Sequence, residues 1–116
     1  MKKKNIVKTK EEFNNIINTG FCNKNKYFVV YSKENKKEYD CFGISVGKKI
    51  GNAVTRNKYK RKIRNIIDIY RKDYVNSKDY IIILRSNALS ITFEEMKENL
   101  IILLNKGAKQ WKKWKK

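Results

Sequence analysis

Apolar positions along the chain change their period several times, and each change marks an element. Phe13, Ile16 and Ile17 recur at helical spacing behind Thr9 and Glu12, the pattern of a capping box in which hydroxyl and carboxylate satisfy each other's free backbone N–H groups. The spacing predicts a helix over residues 10–19, with Gly20 ending it in the left-handed conformation. Residues 27–32 and 39–46 are β-branched and aromatic runs separated by the polar stretch 33–38, and they are expected to pair as an antiparallel hairpin.

From residue 53 to residue 72 the period is helical again. Tyr59, Ile63, Ile66, Ile67, Tyr70 and Tyr74 form one stripe, while Arg56, Asn57, Lys60, Arg61 and Arg64 occupy the adjoining arc. Such a helix packs by its isoleucines and presents its arginines. Residues 79–85 are a short continuous apolar run, the pattern of a strand covered on both faces. Thr92 and Glu95 form a second capping box, and Met96, Leu100, Leu103 and Leu104 mark a last helix ending near Gly107. The order α-β-β-α-β-α, with no repeat and no linker, makes a single two-layer α+β domain the expected fold.

Composition narrows the function. The 116 residues carry 29 Lys and Arg against 11 Asp and Glu, a net charge of +18, with no His and no Pro. A chain of this length buries roughly two-thirds of its unfolded surface, enough for a core without staples. With no histidine, the commonest general base and metal ligand are both missing. Asp40, Asp68, Asp73 and Asp79 are separated by at least five residues and share no motif, so no catalytic residue and no metal ligand is assigned. Cys22 and Cys41 lack the partners a zinc site needs and read either as reduced thiols or as a disulfide. The longest apolar run, 80–84, is too short to span a bilayer, and no apolar leader precedes the domain, so a soluble cytoplasmic protein is expected.

Charge placement matters more than its total. Residues 48–72 hold ten basic groups and one acid, Asp68, and residues 106–116 hold six lysines and no acid, whereas residues 73–105 hold three basic and five acidic groups. One face is built for a polyanion. Of five arginines, Arg56, Arg61, Arg64 and Arg71 fall within 16 residues, while the rest of the chain uses lysine almost throughout. Guanidinium grips phosphate with a planar fork that an ammonium lacks, so this window is selected for contact geometry as well as charge.

The residues here carry a family resemblance. Residues 43–64, with Lys48-Lys49, Gly51-Asn52-Ala53-Val54, Arg56-Asn57 and then Lys60-Arg61 and Arg64, resemble the signature of the bacterial ribonuclease P protein subunit. The likeness extends to Glu12-Phe13 with Gly20, to residues 28–31 and to residues 79–83, nearly the whole chain to residue 104. It implies a fold like the second domain of ribosomal protein S5, with parallel strands joined through the basic helix by a left-handed crossover, against the usual hand.

The resemblance also implies a function: assisting a catalytic RNA that removes the 5′ leader from precursor tRNA. The expected partners are that RNA and the leader, with Mg²⁺ on the RNA, no cofactor on the protein, no membrane and no small-molecule substrate. Arg56, Asn57, Lys60, Arg61 and Arg64 match the family's RNA-contacting helix, and Lys48 and Lys49 match its preceding loop. Gly51 would let the chain turn tightly before that helix. Phe13, Ile17, Phe28 and Tyr31 match positions beside or within the leader-binding cleft, where aromatic rings stack bases. Ordinary core packing is the alternative for the aromatic residues, weightiest for Phe28.

Three positions depart from the family pattern. Ile17 stands where an aromatic residue is frequent, Lys58 replaces an arginine, and Gly47 replaces a serine. The domain is expected to span residues 1–108. Trp111 and Trp114, among the lysines of a basic and disordered tail at 109–116, read as an RNA contact, a membrane contact or neither. Without the resemblance, a structural RNA-binding module and a cationic membrane-surface protein stay open as alternatives.

Overall fold

The computed structural model describes the backbone of residues 1–114 and the side chains of residues 1–108. Helix α1 (Lys10–Thr19) is followed by strands β1 (Phe21–Lys24), β2 (Phe28–Glu34) and β3 (Cys41–Ser45), helix α2 (Ala53–Arg71), strand β4 (Lys78–Leu84) and helix α3 (Phe93–Trp114). Short 3-10 turns lie at Lys3–Asn5, Lys48–Ile50 and Ser86–Ser90. The second capping box forms in full and the first in half. Glu12 N–H donates to Thr9 Oγ1 at 3.1 Å and Glu95 N–H to Thr92 Oγ1 at 3.2 Å. At the second box the Glu95 carboxylate also accepts from Thr92 N–H, whereas at the first Glu12 accepts from the Thr9 hydroxyl.

The four strands lie in the order β1-β2-β4-β3. β2 is antiparallel to both β1 and β4, with Val30 opposite Ile82, and β3 is parallel to β4, with Ile44 opposite Ile82. The expected hairpin between residues 27–32 and 39–46 therefore does not form, because β4 separates its two strands. β4 is the most continuously apolar strand, and the centre of the sheet is where both its faces are covered. Tyr80, Ile82 and Leu84 enter one core and Ile81 the other, with Ile83 packed against it. A sequence-local hairpin would have left one of those faces at an edge. The order is thus α-β-β-β-α-β-α. β1 was not expected, since Phe-Cys-Asn-Lys is mostly exposed and carries no apolar alternation.

Helices α2 and α3 cover one face. Ile63, Ile66 and Ile67 of α2 and Met96, Leu100 and Leu104 of α3 are fully buried against Phe28, Val30 and Tyr80, each such side chain contributing about 1.5–3 kcal/mol. The Phe42 and Tyr80 rings stack there, 5.2 Å between centroids. The other face is only partly covered, by α1 lying along β2 and β4, which adds a third, partial layer to the two expected.

Two glycines differ in role from expectation. Gly20 is extended, not left-handed. A Cβ there would stand 2.6 Å from the Ile16 carbonyl oxygen and 2.7 Å from that of Ser32, so close approach selects glycine. Gly107 does not end α3, which runs on to Trp114. A Cβ at Gly107 would meet Ser32 Oγ at 2.8 Å, so it lets the helix lie tightly on β2. The side chains of Trp111 and Trp114 fall outside the described residues.

The N-terminal segment straps the domain together. Ile6 bridges Phe42 in parallel, and Val7 N–H donates to the Phe42 carbonyl at 3.0 Å. Buried Asn5 donates to the Asp40 carbonyl at 2.8 Å and accepts from Arg71 Nη2 at 3.1 Å. Burial pushes the Asp40 carboxyl upward while the N–H groups of Lys78 and Asn76 and the charge of Arg71 pull it down, the first effect prevailing.

Candidate nucleic-acid interface

The basic helix starts where two local features place it. Gly51 adopts φ 153°, a backbone conformation that side-chain-bearing residues rarely reach. Asn52 then caps α2, its Oδ1 accepting from Thr55 N–H at 3.0 Å. The turn carrying Lys48 and Lys49 is pinned by Ile50, which is buried while both lysines are exposed. Once Ile63, Ile66, Ile67 and Tyr70 face the core, the opposite arc must face solvent.

Arg56, Lys60 and Arg64 recur every four residues and so form one row along the helix, with Asn57 and Arg61 in the next. Asn57, Arg61 and Arg64 are exposed, and Arg56 and Lys60 are half-buried. Among the described residues the ion pairs join the Met1 amine and Arg71 to Asp68, and Lys97 to Glu94. None neutralises this row. Lys58, which departs from the family's arginine, is exposed beside it. Lys62 instead lies over the Tyr59 ring, 4.8 Å from its centroid.

Arg71 behaves differently from the other arginines of the window. It pairs with Asp68 and donates to Asn5, so it serves the fold. Clustering in sequence grouped it with Arg56, Arg61 and Arg64, and only the strap reveals its separate role.

Phe13, Ile17 and Tyr31 share the sheet face crossed by α1, packed against Val7, Ile16, Cys41 and Ile81. All three remain partly exposed where α1 packs on the sheet. Partial burial, and then the neighbouring Cys22 thiol, raise the Tyr31 hydroxyl above its ordinary range. Phe28 does not join them. It is fully buried in the core on the opposite face, because it sits an odd number of positions from Tyr31 on the same strand and successive side chains alternate.

Residues not singled out from the sequence also reach these surfaces. Cys22 lies opposite Tyr31 on β1 and is exposed, and both Cys22 and Cys41 are free thiols. Arg85, the one arginine outside the helical window, lines a groove of about 490 Å³ with Lys48 and Lys49 at the ends of β3 and β4. Its isolation among lysines was a signal available in the sequence, whereas Cys22 needed the strand register. Among the described residues no group of three or more His, Cys, Asp or Glu side chains is placed to hold a metal ion. No helix there is long and apolar enough to cross a membrane.

The structure thus sets a row of cations along α2, with Lys60 and Arg64 beside Phe13. A family model described as Ribonuclease P matches residues 1–108. The chain belongs to the ribonuclease P protein family. The ribonuclease P protein component of Bacillus mycoides (strain KBAB4) is 45% identical over 116 residues, covering 97% of this chain and 100% of the relative. That of Streptococcus pneumoniae (strain Hungary19A-6) is 41% identical over 104 residues, covering 90% and 85%. Solved structures agree. The Staphylococcus aureus RNase P protein is 36% identical with a TM-score of 0.80, covering 87% of this chain and 93% of that one. The Thermotoga maritima protein is 30% identical with a TM-score of 0.79, covering 84% and 93%. Membership of that family makes the chain a component of a ribonucleoprotein nuclease of tRNA processing.

Proposed function

We propose that this ribonuclease P protein is the non-catalytic subunit of its holoenzyme, holding the catalytic RNA with α2 and the precursor-tRNA leader with the cleft. The reading rests on one observation: the unpaired row Arg56, Lys60, Arg64 stands beside a surface of different chemistry, the partly exposed Phe13, Ile17 and Tyr31. Guanidinium and ammonium groups match the closely spaced phosphates of a folded RNA, and each neutralised phosphate releases counterions. Lys48, Lys49, Asn57 and Arg61 extend that contact. The cleft suits single-stranded RNA, whose unstacked bases lie on aromatic rings at about 1–3 kcal/mol each without demanding a sequence.

Hydrolysis belongs to the RNA and its Mg²⁺ ions. The protein screens repulsion between RNA strands and positions the leader, holds no cofactor of its own, and works in the cytoplasm. Reconstitution with a bacterial ribonuclease P RNA at low Mg²⁺ tests this. Added protein is expected to lower the Mg²⁺ requirement and to tighten binding of leader-bearing substrate over leaderless substrate. Protein that does neither, or that cleaves precursor tRNA without the RNA, refutes the assignment.

A further inference from the structure

Helix α2 carries charge on two opposite flanks. Lys60 and Arg64 stand on the side that borders β3, where they line a cavity with Met1, Phe13 and Ile44. At 3.6 residues per turn, Lys58 and Lys62 lie about 160° round the helix from that pair. Between the two flanks runs the outward arc of Asn57, Arg61 and Asn65, all exposed. Lys62 is held in place by the Tyr59 ring, 4.8 Å from its centroid, and Lys58 is exposed. Among the described residues no ion pair takes a charge from either flank. Both flanks then lose their charge at the same height. Beyond Arg64 the first meets Asp68, which is bonded to the Met1 amine and to Arg71, and beyond Lys62 the second meets the exposed Ile69. We propose that the N-terminal half of α2 lies between two separate segments of the catalytic RNA, with Lys60 and Arg64 on the phosphates of one and Lys58 and Lys62 on those of the other.

The inference rests on the reading of α2 as the helix that holds the catalytic RNA, and adds a second contact to it. A helix laid against one RNA surface gains nothing from cations on its far side, where water screens them. A single duplex would not engage both flanks either. Its major groove is too narrow for a helix about 10–12 Å across, and its minor groove is so shallow that a helix resting there turns one side to phosphate. The leader does not supply the second strand, because Phe13 borders Lys60 and Arg64, on the opposite side of α2 from Lys58 and Lys62. Two segments of one folded RNA brought this close repel each other. Cations placed between them, with the helix as spacer, lower that repulsion where it is greatest and release counterions from both.

The test uses holoenzyme assembled with a bacterial ribonuclease P RNA, the protein carrying a benzophenone amino acid at position 60 or 62 that crosslinks to atoms it touches. The two positions are expected to crosslink to segments of the catalytic RNA that are distant in its sequence and not paired with each other. Crosslinks from both positions to one segment, or to the two strands of one duplex, overturn the proposal. Crosslinks from position 62 to the precursor-tRNA leader also overturn it, by giving the second flank to the substrate. Reaction at position 60 with none at position 62 leaves the second flank in solvent and has the same force. A second measurement needs no photochemistry. Lys58→Ala combined with Lys62→Ala is expected to reduce the slope of log affinity for the catalytic RNA against log salt by about two, as is Lys60→Ala combined with Arg64→Ala. A reduction in the second pair alone overturns the two-sided contact. If neither pair reduces the slope, the reading of α2 as the RNA-holding helix has itself failed.

Discussion

Gly43 of β3 lies directly under the Phe13 ring of α1: a Cβ at Gly43 would stand 2.6 Å from Phe13 Cζ and 2.8 Å from Ile81 Cδ1. The helix can rest on the sheet at this height only because that side chain is missing. Gly43→Ala is therefore expected to tilt α1 away from β4, destabilising the protein by about 1–3 kcal/mol and weakening leader binding more than RNA assembly. Urea unfolding and substrate titration check the two halves, and an unchanged unfolding midpoint contradicts the packing argument.

Arg61 and Tyr31 belong to the two different surfaces. Arg61→Ala is expected to weaken assembly with the catalytic RNA and to reduce the slope of log affinity against log salt by about one. Tyr31→Ala leaves that slope in place and weakens leader-bearing substrate by about 1–3 kcal/mol. Equal losses for both variants in both assays would refute the division into two surfaces.

Arg71 serves the fold, so its removal has the opposite profile. In Arg71→Ala the buried Asn5 Oδ1 loses its donor, and Asp68 keeps only the Met1 amine. A loss of about 1–3 kcal/mol in stability is expected from an acceptor left unsatisfied, with the salt slope of RNA assembly unchanged. A reduced slope would add Arg71 to the proposed RNA-contacting residues.

Tyr70 and Tyr80 predict an alkaline limit. Both hydroxyls are buried and bonded to Asn76 Nδ2, at 2.8 and 3.2 Å, and burial is the main cause that raises both above the ordinary value of 10.0. A raised folded value means that the unfolded chain loses these protons first. Stability is thus complete below pH 10 and falls above it, by up to about 1.4 kcal/mol per pH unit for each group. Tyr80→Phe is expected to flatten the fall. Ultraviolet titration should show two of the seven tyrosines ionising only on unfolding, and seven ordinary titrations would refute the assignment.

Much of this protein was determined locally and was legible in the residues. Thr9 and Thr92 start helices because their hydroxyls meet backbone N–H groups three residues on, and such contacts depend on near neighbours in sequence. The isoleucines of α2 identify its inward side, and geometry then leaves Arg56, Lys60, Arg61 and Arg64 outside. The basic signature of residues 43–64 also pointed to the family whose model matches residues 1–108.

Partnership between elements was settled only by the tertiary structure. An apolar strand must be covered, but its pattern does not say by which neighbour, so β4 could displace the expected hairpin partner. Phe28 and Tyr31 both matched the leader-binding cleft, with core packing the weightier alternative for Phe28, and strand parity placed them on opposite faces. Arg71 resembled its neighbours until a segment 66 residues away in sequence met it. Periodicity reports which side of an element avoids water. Which side chains converge on one pocket or one core is decided by packing in three dimensions, where the lowest free energy belongs to the arrangement that covers all the apolar faces together.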